Sequence, residues 1–298
     1  MPKVGFIGLG IMGKPMAKHL RAHGVELYVN DLQASAVQEL TAEGAVAASP
    51  AEIGRTCQIV FLILPNGPIV QQVLFGPEGV AEYLAPGSIV CDMSSVTPGE
   101  SQTCAQALEK RGVRFLDAPV SGGEPGAQEA TLAFMVGGEE ADFRQIRPYL
   151  DYMGSSAVRI GPVGAGSTTK LANQIIVNLT IAAVSEGMVL ATKAGADPQK
   201  VYEAIRGGLA GSAVLDAKVP KMLRRDFRPG GKISINHKDI KNVLAAAHTV
   251  DVPLPLTAVL FEILQALKVD GHMDDDHGGI VQFYEHLAGV EVRAEGGC

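Results

Sequence analysis

Short apolar runs alternate with stretches of helical period through the first half of the chain. The runs favour strands at residues 4–7, 26–30, 57–64, 88–92 and 114–118, and again at 132–136 and 157–160. Several are apolar at nearly every position, which is typical of parallel strands covered by helices on both faces. The pattern therefore predicts an α/β domain built on a parallel sheet.

The pattern changes at residues 161–166, where glycine and proline accumulate and beyond which strands nearly disappear. We place a boundary there, giving domains at residues 1–162 and 163–298. A helical pattern over 167–194 follows, and its length suits a helix that joins two domains. Shorter helical stretches make the second domain all-α, at residues 197–206, 214–224, 235–250, 255–268 and 280–287.

Composition excludes several classes of protein. A chain of 298 residues that is 47% hydrophobic can fill two cores. The net charge of −7, without a basic block, argues against nucleic acid and against an anionic membrane surface. We find no signal peptide and no uninterrupted apolar stretch of about 18 residues, so we expect no membrane span. The cysteines at positions 57, 91, 104 and 298 lack metal or disulfide spacing, which indicates free thiols in a reducing cytoplasm.

Three glycines follow the first predicted strand in the pattern G-x-G-x-x-G. They are Gly8, Gly10 and Gly13, and a helical stretch begins at Lys14. In the dinucleotide-binding arrangement, the first glycine permits a tight turn, the second lets a pyrophosphate approach the backbone, and the third lets the helix pack on the strand. We interpret residues 8–13 as the phosphate-binding turn of a Rossmann-type domain.

The second predicted strand runs through Asn30 to Asp31, which stands 23 residues after Gly8. An acid at about this spacing hydrogen-bonds the ribose hydroxyls of NAD and repels the 2′-phosphate of NADP. Leu32 and Gln33 offer no positive charge to neutralise that phosphate. The sequence therefore favours NAD(H) and disfavours NADP(H). The alternative is that Asp31 is an ordinary turn residue before the next helix.

The long predicted helix carries Lys170, Asn173 and Gln174 at helical spacing on one face. Together they can contact one small substrate. Desolvation and the positive helix N-terminus both disfavour an ammonium ion near the start of a helix, so Lys170 is a candidate general acid and base. The alternative is a solvated helix lysine.

A hydroxyl and two glycines, Ser121, Gly122 and Gly123, follow the predicted strand at residues 114–118. Ligands of open α/β sheets bind at the carboxyl ends of strands, and successive backbone N–H groups bind a carboxylate without a cationic side chain. These residues are therefore a candidate substrate-carboxylate site, although a plain glycine-rich turn has the same composition.

Two further strand ends should border the same crevice, and we expect their residues to touch the cofactor: Leu64, Pro65, Asn66 and Ser95. Lys238 is a candidate ligand contact, with a surface pair to Asp239 as the alternative. The segment 272–277 contains two histidines and three aspartates, but their spacing favours a solvated loop over a metal site, so we predict no metal.

Four segments together resemble the β-hydroxyacid dehydrogenase family over essentially the whole chain. They are residues 6–13, 117–123, 164–174 and 238–239. The resemblance implies that Lys170 is the catalytic acid and base, that residues 121–123 hold the substrate carboxylate, that Asn173 orients the substrate, and that Lys238 lies near the nicotinamide. It also implies cofactor contacts at Gly8, Leu9, Gly10, Ile11, Met12, Gly13, Asp31, Leu64, Pro65 and Ser95.

Many members carry two asparagines where this chain has Asn173 and Gln174. That departure, with the segments 121–125, 206–212 and 275–277, looks more like the tartronate semialdehyde reductases of the family than the 3-hydroxyisobutyrate dehydrogenases. The expected partner is a small semialdehyde or hydroxy acid bearing a carboxylate. A 3-hydroxyisobutyrate dehydrogenase and a non-catalytic NAD sensor remain alternatives. The apolar helical half also predicts a homo-oligomer, a dimer or a tetramer.

Overall fold

The structure is a computed structural model, and it describes residues 2–294. Its contacts divide the chain into two compact units, which meet in sequence at Lys170 and Leu171. Cys298, one of the four cysteines considered above, lies outside the described residues. The thiols of Cys57, Cys91 and Cys104 are buried and free. Burial raises the pKa of Cys57 and of Cys104 to about 12, so both thiols stay protonated at neutral pH.

The first unit contains one sheet of nine strands. The strands are β1 (Val4–Ile7), β2 (Leu27–Asn30), β3 (Val46–Ala47), β4 (Ile59–Leu62), β5 (Ile89–Asp92), β6 (Arg114–Asp117), β7 (Val120–Ser121), β8 (Leu132–Gly137) and β9 (Gly154–Gly161). Their order is β3-β2-β1-β4-β5-β6-β8-β7, and β9 pairs with β8. The chain order reverses at β1, whose neighbours are β2 and β4, and ligands of open α/β sheets bind at such a point.

The predicted parallel sheet is confirmed over most of its width, and one end of the sheet is antiparallel. Strands β3 to β6 are parallel, but β8 runs antiparallel to β6 and β7. Strands β6 and β7 run in the same direction, and the chain reverses between them and β8, over residues 122–131. This connection is shorter than the crossover of a dozen or more residues that a parallel neighbour requires. Strands β3 and β7 were also absent from the sequence prediction, because two residues are too few to show a period.

The described residues of the first unit also form eight helices. They are α1 (Gly13–Ala22), α2 (Ala34–Ala42), α3 (Pro50–Thr56), α4 (Gly67–Phe75), α5 (Val80–Tyr83), α6 (Pro98–Glu109), α7 (Gly123–Gln128) and α8 (Glu140–Met153). Capping boxes begin α3, with Ser49 and Glu52, and α6, with Thr97 and Glu100. These caps fix where the chain leaves the sheet and turns into a helix.

The second unit is all-helical, as predicted. After α9 (Ala165–Lys193), which begins in the first unit, it contains α10 (Pro198–Ile205), α11 (Ala213–Arg224), α12 (Ile233–His248), α13 (Pro255–Val269) and α14 (Val281–Ala288), with two short 3-10 helices before α14. Its core includes Leu215, Ile233, Leu264 and Val281, each at most 1% exposed. The amphipathic spacing of these stretches is what made them predictable.

The helix α9 is long and apolar enough to cross a membrane by length and composition. The uninterrupted-run criterion applied to the sequence missed this property. Core helices of soluble proteins share it, and Ile181, Ser185 and Met188 of α9 are buried in the second unit.

The acidic segment 272–277 differs from the solvated loop that its composition predicts. Asp276 is fully buried, and its carboxylate contacts Lys218 Nζ at 2.9 Å and Lys221 Nζ at 3.3 Å. The amides of Gly230 and Gly278 donate to the same carboxylate. Burial alone would raise the pKa of Asp276, but Lys218 and the Gly278 N–H outweigh it and hold the pKa at about 2.

Replacing Asp276 should therefore destabilise the second unit. In Asp276→Ala, the ammonium groups of Lys218 and Lys221 lose a buried partner, which costs about 3 to 5 kcal/mol in the free energy of unfolding. The matched control is Asp274→Ala in the same segment, because Asp274 is exposed and its pair with Lys232 is worth at most about 1 kcal/mol. Urea unfolding measures both, and equal losses would contradict a structural role for the buried carboxylate.

Candidate active site

The glycine turn after β1 has the geometry that its sequence predicts. Gly8 has φ +100°, and a Cβ on it would lie 2.2 Å from the carbonyl oxygen of Ile63. A Cβ on Gly13 would lie 1.9 Å from the Gly8 oxygen, so this glycine lets α1 pack against the turn. Gly10 differs, because it is exposed and a Cβ there would meet nothing within 4 Å beyond its chain neighbours. Open backbone at the middle glycine fits the close approach of a pyrophosphate.

The start of α1 adds to this fit. In the described part of the chain no side chain caps the helix at Met12, and its first turn contains no acid. The positive end of the helix dipole is therefore not offset by a cap or an acid of the described residues, which suits an anionic diphosphate. Within this first turn, the Lys14 N–H donates to Gly10 O at 3.1 Å and Pro15 has no N–H. Leu9 and Met12 are largely buried in the turn, while Ile11 is half exposed.

Asp31 is tied to the glycine turn directly. Its Oδ2 accepts the Leu9 N–H at 2.5 Å, and its Oδ1 accepts the Gln33 N–H at 2.7 Å. The hydrogen bond from Gln33 closes a local turn, as expected if Asp31 is an ordinary turn residue. The hydrogen bond from Leu9 places the Asp31 carboxylate beside the glycine turn of residues 8–13. The neighbouring Leu32 is fully exposed. Asn30 stabilises the next loop, since its Nδ2 donates to Ala48 O.

The ends of β4 and β5 are joined by a buried serine that the sequence analysis did not single out. Ser94 Oγ accepts the N–H of Leu64 at 2.8 Å, and Asp92 Oδ1 accepts the N–H of Ser94 at 2.9 Å. Burial raises the pKa of Asp92 to about 6, against the lowering effect of its hydrogen bonds from Ser94. Asn66 caps α4 through its Oδ1, so its side chain also has a structural role.

The segment after β6 presents backbone donors. Gly122 and Gly123 have φ values of +134° and +61°, and both are exposed. Ser121 is half-buried and ends β7, while α7 starts at Gly123 without a side-chain cap from any described residue. The candidate carboxylate site needs backbone donors that a ligand can approach, and these two exposed glycines are compatible with that.

A buried acid, Asp117, holds the first turn of α9. Its Oδ1 accepts the Gly164 N–H at 2.8 Å, and its Oδ2 accepts the Ser167 N–H at 2.6 Å. Burial raises the pKa of this carboxyl, although both amide donors favour its charged form. Glycine is required beside it, because a Cβ on Gly137 would lie 2.3 Å from Asp117 Oδ1 and one on Gly166 would lie 2.6 Å from the Asp117 backbone oxygen.

Sequence reasoning placed Asp117 in a motif without giving it a role. The signal that was available is the run of closely spaced glycines around the start of α9. Lys170 lies one helical turn after Ser167 and is half-buried. The position of Lys170 relative to the end of β6 therefore depends on the Asp117 carboxylate.

In the second unit, three predicted site residues belong to one hydrogen-bonded group. Asn173 Nδ2 donates to Gln174 Oε1 at 3.0 Å, and Gln174 Nε2 donates to Asp239 Oδ2 at 2.7 Å. Lys238 Nζ lies 3.0 Å from Asp239 Oδ1. Gln174 and Asp239 are buried, at 7% and 2% exposed. The pairing of Lys238 with Asp239 is therefore present, and Asp239 is not a surface residue.

Among the described residues, no group of three or more His, Cys, Asp or Glu side chains is arranged to hold a metal ion. The residues of segment 272–277 bond within the protein instead. His272 Nδ1 pairs with Asp275 Oδ2 at 2.9 Å, and Asp276 binds two lysines as described above.

A mostly parallel sheet with this glycine turn defines the class of dinucleotide-binding domains. Two family models match the chain: the NAD-binding domain of 6-phosphogluconate dehydrogenase over residues 3–161, and the NAD-binding domain of NADP-dependent 3-hydroxyisobutyrate dehydrogenase over residues 164–284.

The chain also resembles characterised dehydrogenases along its whole length. It is 42% identical to the 2-hydroxy-3-oxopropionate reductase of Escherichia coli, covering 96% of this chain and 98% of that protein. It is 36% identical to the 2-(hydroxymethyl)glutarate dehydrogenase of Eubacterium barkeri, covering 97% of each. A crystal structure of 3-hydroxyisobutyrate dehydrogenase from Salmonella typhimurium superposes with a TM-score of 0.85 at 32% identity, covering 95% of this chain and 99% of that one. The chain belongs to the β-hydroxyacid dehydrogenase family.

Proposed function

We propose that this enzyme reduces 2-hydroxy-3-oxopropionate, also called tartronate semialdehyde, to D-glycerate, in a reversible reaction. The observation that carries the proposal is the 42% identity to the Escherichia coli 2-hydroxy-3-oxopropionate reductase over 96% of the chain. The glutamine at position 174, in place of a second asparagine, also favours this branch of the family.

In this proposal the chain's own residues bind and orient the substrate and move one proton. The backbone N–H groups of residues 121–123 bind the substrate carboxylate, and Asn173 orients the carbon chain. Lys170 donates a proton to the aldehyde oxygen as that carbon is reduced, and it takes the proton back in the reverse direction. A nicotinamide cofactor held at residues 8–13 supplies the hydride.

Cofactor contacts are proposed at the positions that the sequence selected. They are Gly8, Leu9, Gly10, Ile11, Met12, Gly13, Asn30, Asp31, Leu64, Pro65, Asn66, Ser95 and Lys238. Open space at Gly10 and the uncapped start of α1 support the assignment of the phosphates. We assign NAD(H) over NADP(H), because the Asp31 carboxylate beside Leu9 would repel a 2′-phosphate.

The second candidate is a 3-hydroxyisobutyrate dehydrogenase, which the match over residues 164–284 and the Salmonella typhimurium structure favour. The two differ at the carbon next to the carboxylate, which bears a hydroxyl in one substrate and a methyl in the other. A side-by-side comparison of kcat/KM for the two semialdehydes decides between them. A non-catalytic NAD sensor would turn over neither.

Replacing Lys170 should abolish most turnover. We expect Lys170→Ala to lower kcat by about 10²- to 10⁴-fold with little change in NADH affinity, because a proton donor is lost and residues 8–13 are unchanged. Lys170→Arg should fail too, since guanidinium does not release its proton at neutral pH. Stopped-flow turnover and NADH titration measure these quantities.

The matched control is Lys200→Ala on α10, whose side chain is 82% exposed and should leave kcat unchanged. Near-normal turnover in Lys170→Arg would exclude proton transfer by Lys170.

The cofactor preference is testable at Asp31. The unaltered enzyme should have a higher kcat/KM with NADH than with NADPH. Asp31→Asn removes the charge and keeps an acceptor for the Leu9 N–H, so it should shift the ratio towards NADPH with a smaller loss of NADH affinity than Asp31→Ala. Equal kcat/KM values for both cofactors in the unaltered enzyme would contradict the assignment.

We also propose a cytoplasmic homo-oligomer. Ile176 and Leu190 of α9 are 66% and 72% exposed, which is unusual for large apolar side chains on a long helix. Light scattering at micromolar concentration should give a multiple of the 31.2 kDa chain mass. Leu190→Glu should lower that multiple, whereas Leu256→Glu, an equally exposed leucine on α13, should not. A monomer in the unaltered protein would refute the proposal.

A further inference from the structure

The backbone of residues 63–64, just past the end of β4, forms one wall of the glycine turn. A Cβ on Gly8 would lie 2.2 Å from the Ile63 oxygen and 3.2 Å from the Leu64 side chain. A Cβ on Gly13 would lie 2.7 Å from Ile63 Cγ2. The Ile63 N–H donates to the Ile7 oxygen at 3.0 Å, so this wall is paired with β1 on one side. A displacement of residues 63–64 would therefore change the shape of the turn.

On its other side the wall is held by a side chain. The Met93 N–H donates to the Leu62 oxygen at 2.7 Å, which continues the backbone pairing of β4 with β5. Beyond this contact the Leu64 N–H donates to Ser94 Oγ at 2.8 Å. Ser94 is only 2% exposed, so water has little access to replace this acceptor. The Ser94 hydroxyl therefore fixes the Leu64 backbone where the pairing of the two strands ends.

The Asp92 carboxylate fixes the direction of this hydroxyl. Its Oδ1 accepts the Ser94 N–H at 2.9 Å, and the Ser94 side chain also hydrogen-bonds the carboxylate. An ionised carboxylate only accepts hydrogen bonds, so the Ser94 hydroxyl must donate its proton to Asp92. Its oxygen then presents its lone pairs to the Leu64 N–H. The hydrogen bonds run in one direction, from Leu64 through Ser94 to Asp92, and all three residues belong to the first unit.

We propose that Ser94 and Asp92 are positioning residues that hold the backbone of residues 63–64 in the conformation that binds the cofactor. This role rests on the proposed cofactor site at residues 8–13 and at Leu64, and it names what keeps that site in shape. Neither side chain is assigned a contact with the cofactor or a part in proton transfer. Without the hydroxyl, the Leu64 N–H loses its acceptor, and the cofactor must bind a wall that is no longer held in place.

The Kd of NAD⁺ at about pH 8, where carboxylates are ionised, tests the hydroxyl. In Ser94→Ala we expect Kd to rise about tenfold, the size of one hydrogen bond. The matched control is Ser88→Ala, because Ser88 is also buried, at 4% exposed, and precedes β5 at the opposite end of the strand from Asp92. Its Kd should stay at the wild-type value. An unchanged Kd in Ser94→Ala, or an equal rise in Ser88→Ala, would overturn the proposal.

The charge of Asp92 adds a pH dependence. The titratable groups near it are the carboxyls of Asp117 on β6 and Glu100 on α6, and the thiols of Cys91 and Cys104. Burial and the two acids raise the pKa of Asp92 to about 6, against the hydrogen bonds from Ser94. Burial raises the pKa of both thiols, so they stay neutral. Once protonated, Asp92 is itself a donor and competes with the Leu64 N–H for Ser94 Oγ.

Affinity for NAD⁺ should therefore fall as the pH is lowered through the pKa of Asp92. If the protonated form binds about tenfold more weakly, Kd rises about fivefold between about pH 7 and about pH 5. Asp92→Asn cannot gain this proton, so its Kd should stay constant over the same range. NAD⁺ is the probe because NADH decomposes in acid. A constant Kd in the unaltered protein, or a pH dependence that persists in Asp92→Asn, would overturn the proposal.

Hydrogen exchange of the Leu64 amide separates this role from the proposed function. Followed by NMR of ¹⁵N-labelled protein without cofactor, exchange should be about tenfold faster in Ser94→Ala than in the unaltered protein. Unchanged exchange refutes the positioning role even if the protein binds NAD⁺. Faster exchange in a protein whose unaltered form does not bind NAD⁺ refutes the proposed cofactor site, and the positioning role with it.

Discussion

The carboxylate of Asp117 is the constraint on which the arrangement of the first unit depends. It stands at the end of β6 and accepts the N–H groups of Gly164 and Ser167, so it anchors the start of α9 to the carboxyl edge of the sheet. A helix start has N–H groups without intrahelical partners, and a buried acid satisfies two of them while opposing the helix dipole. The same edge carries the glycine turn, the Ser94 contact between β4 and β5, and the exposed amides of residues 122 and 123.

This constraint explains several glycines at once. A Cβ on Gly137 or Gly166 would overlap oxygen atoms of Asp117. The Ser101 and Ser167 hydroxyls, also buried, lie 3.0 Å apart and join α6 to the same turn. The glycine-rich segment at residues 161–166, where the sequence places a domain boundary, is therefore closely packed at Gly166, which has no room for a side chain.

The sequence predicted those features whose chemistry is local. The strand, turn and helix around Gly8 and Gly13 follow from neighbouring residues, and so do the amphipathic helices of the second unit. Features that depend on residues distant in the chain were not predicted from the sequence. Asp276 was predicted to be a solvated acid, because its partner Lys218 is 58 residues away in the sequence. The hydrogen bond from Gln174 to Asp239, 65 residues apart, has no local signal either. The reversal of β8 likewise depends on the short connection over residues 122–131, which no periodicity encodes.

The buried contact of Asp276 also bears on the order in which the chain folds during synthesis. The first unit has all nine strands once residue 161 has been made, so it can fold while the rest is still being translated. The second unit cannot fold progressively during translation in the same way, because Lys218 pairs with Asp276, which is 58 residues further along the chain. Until Asp276 emerges, α11 carries an uncompensated charge on its inner face. The helical unit is therefore expected to complete its folding only after residue 276 has been made.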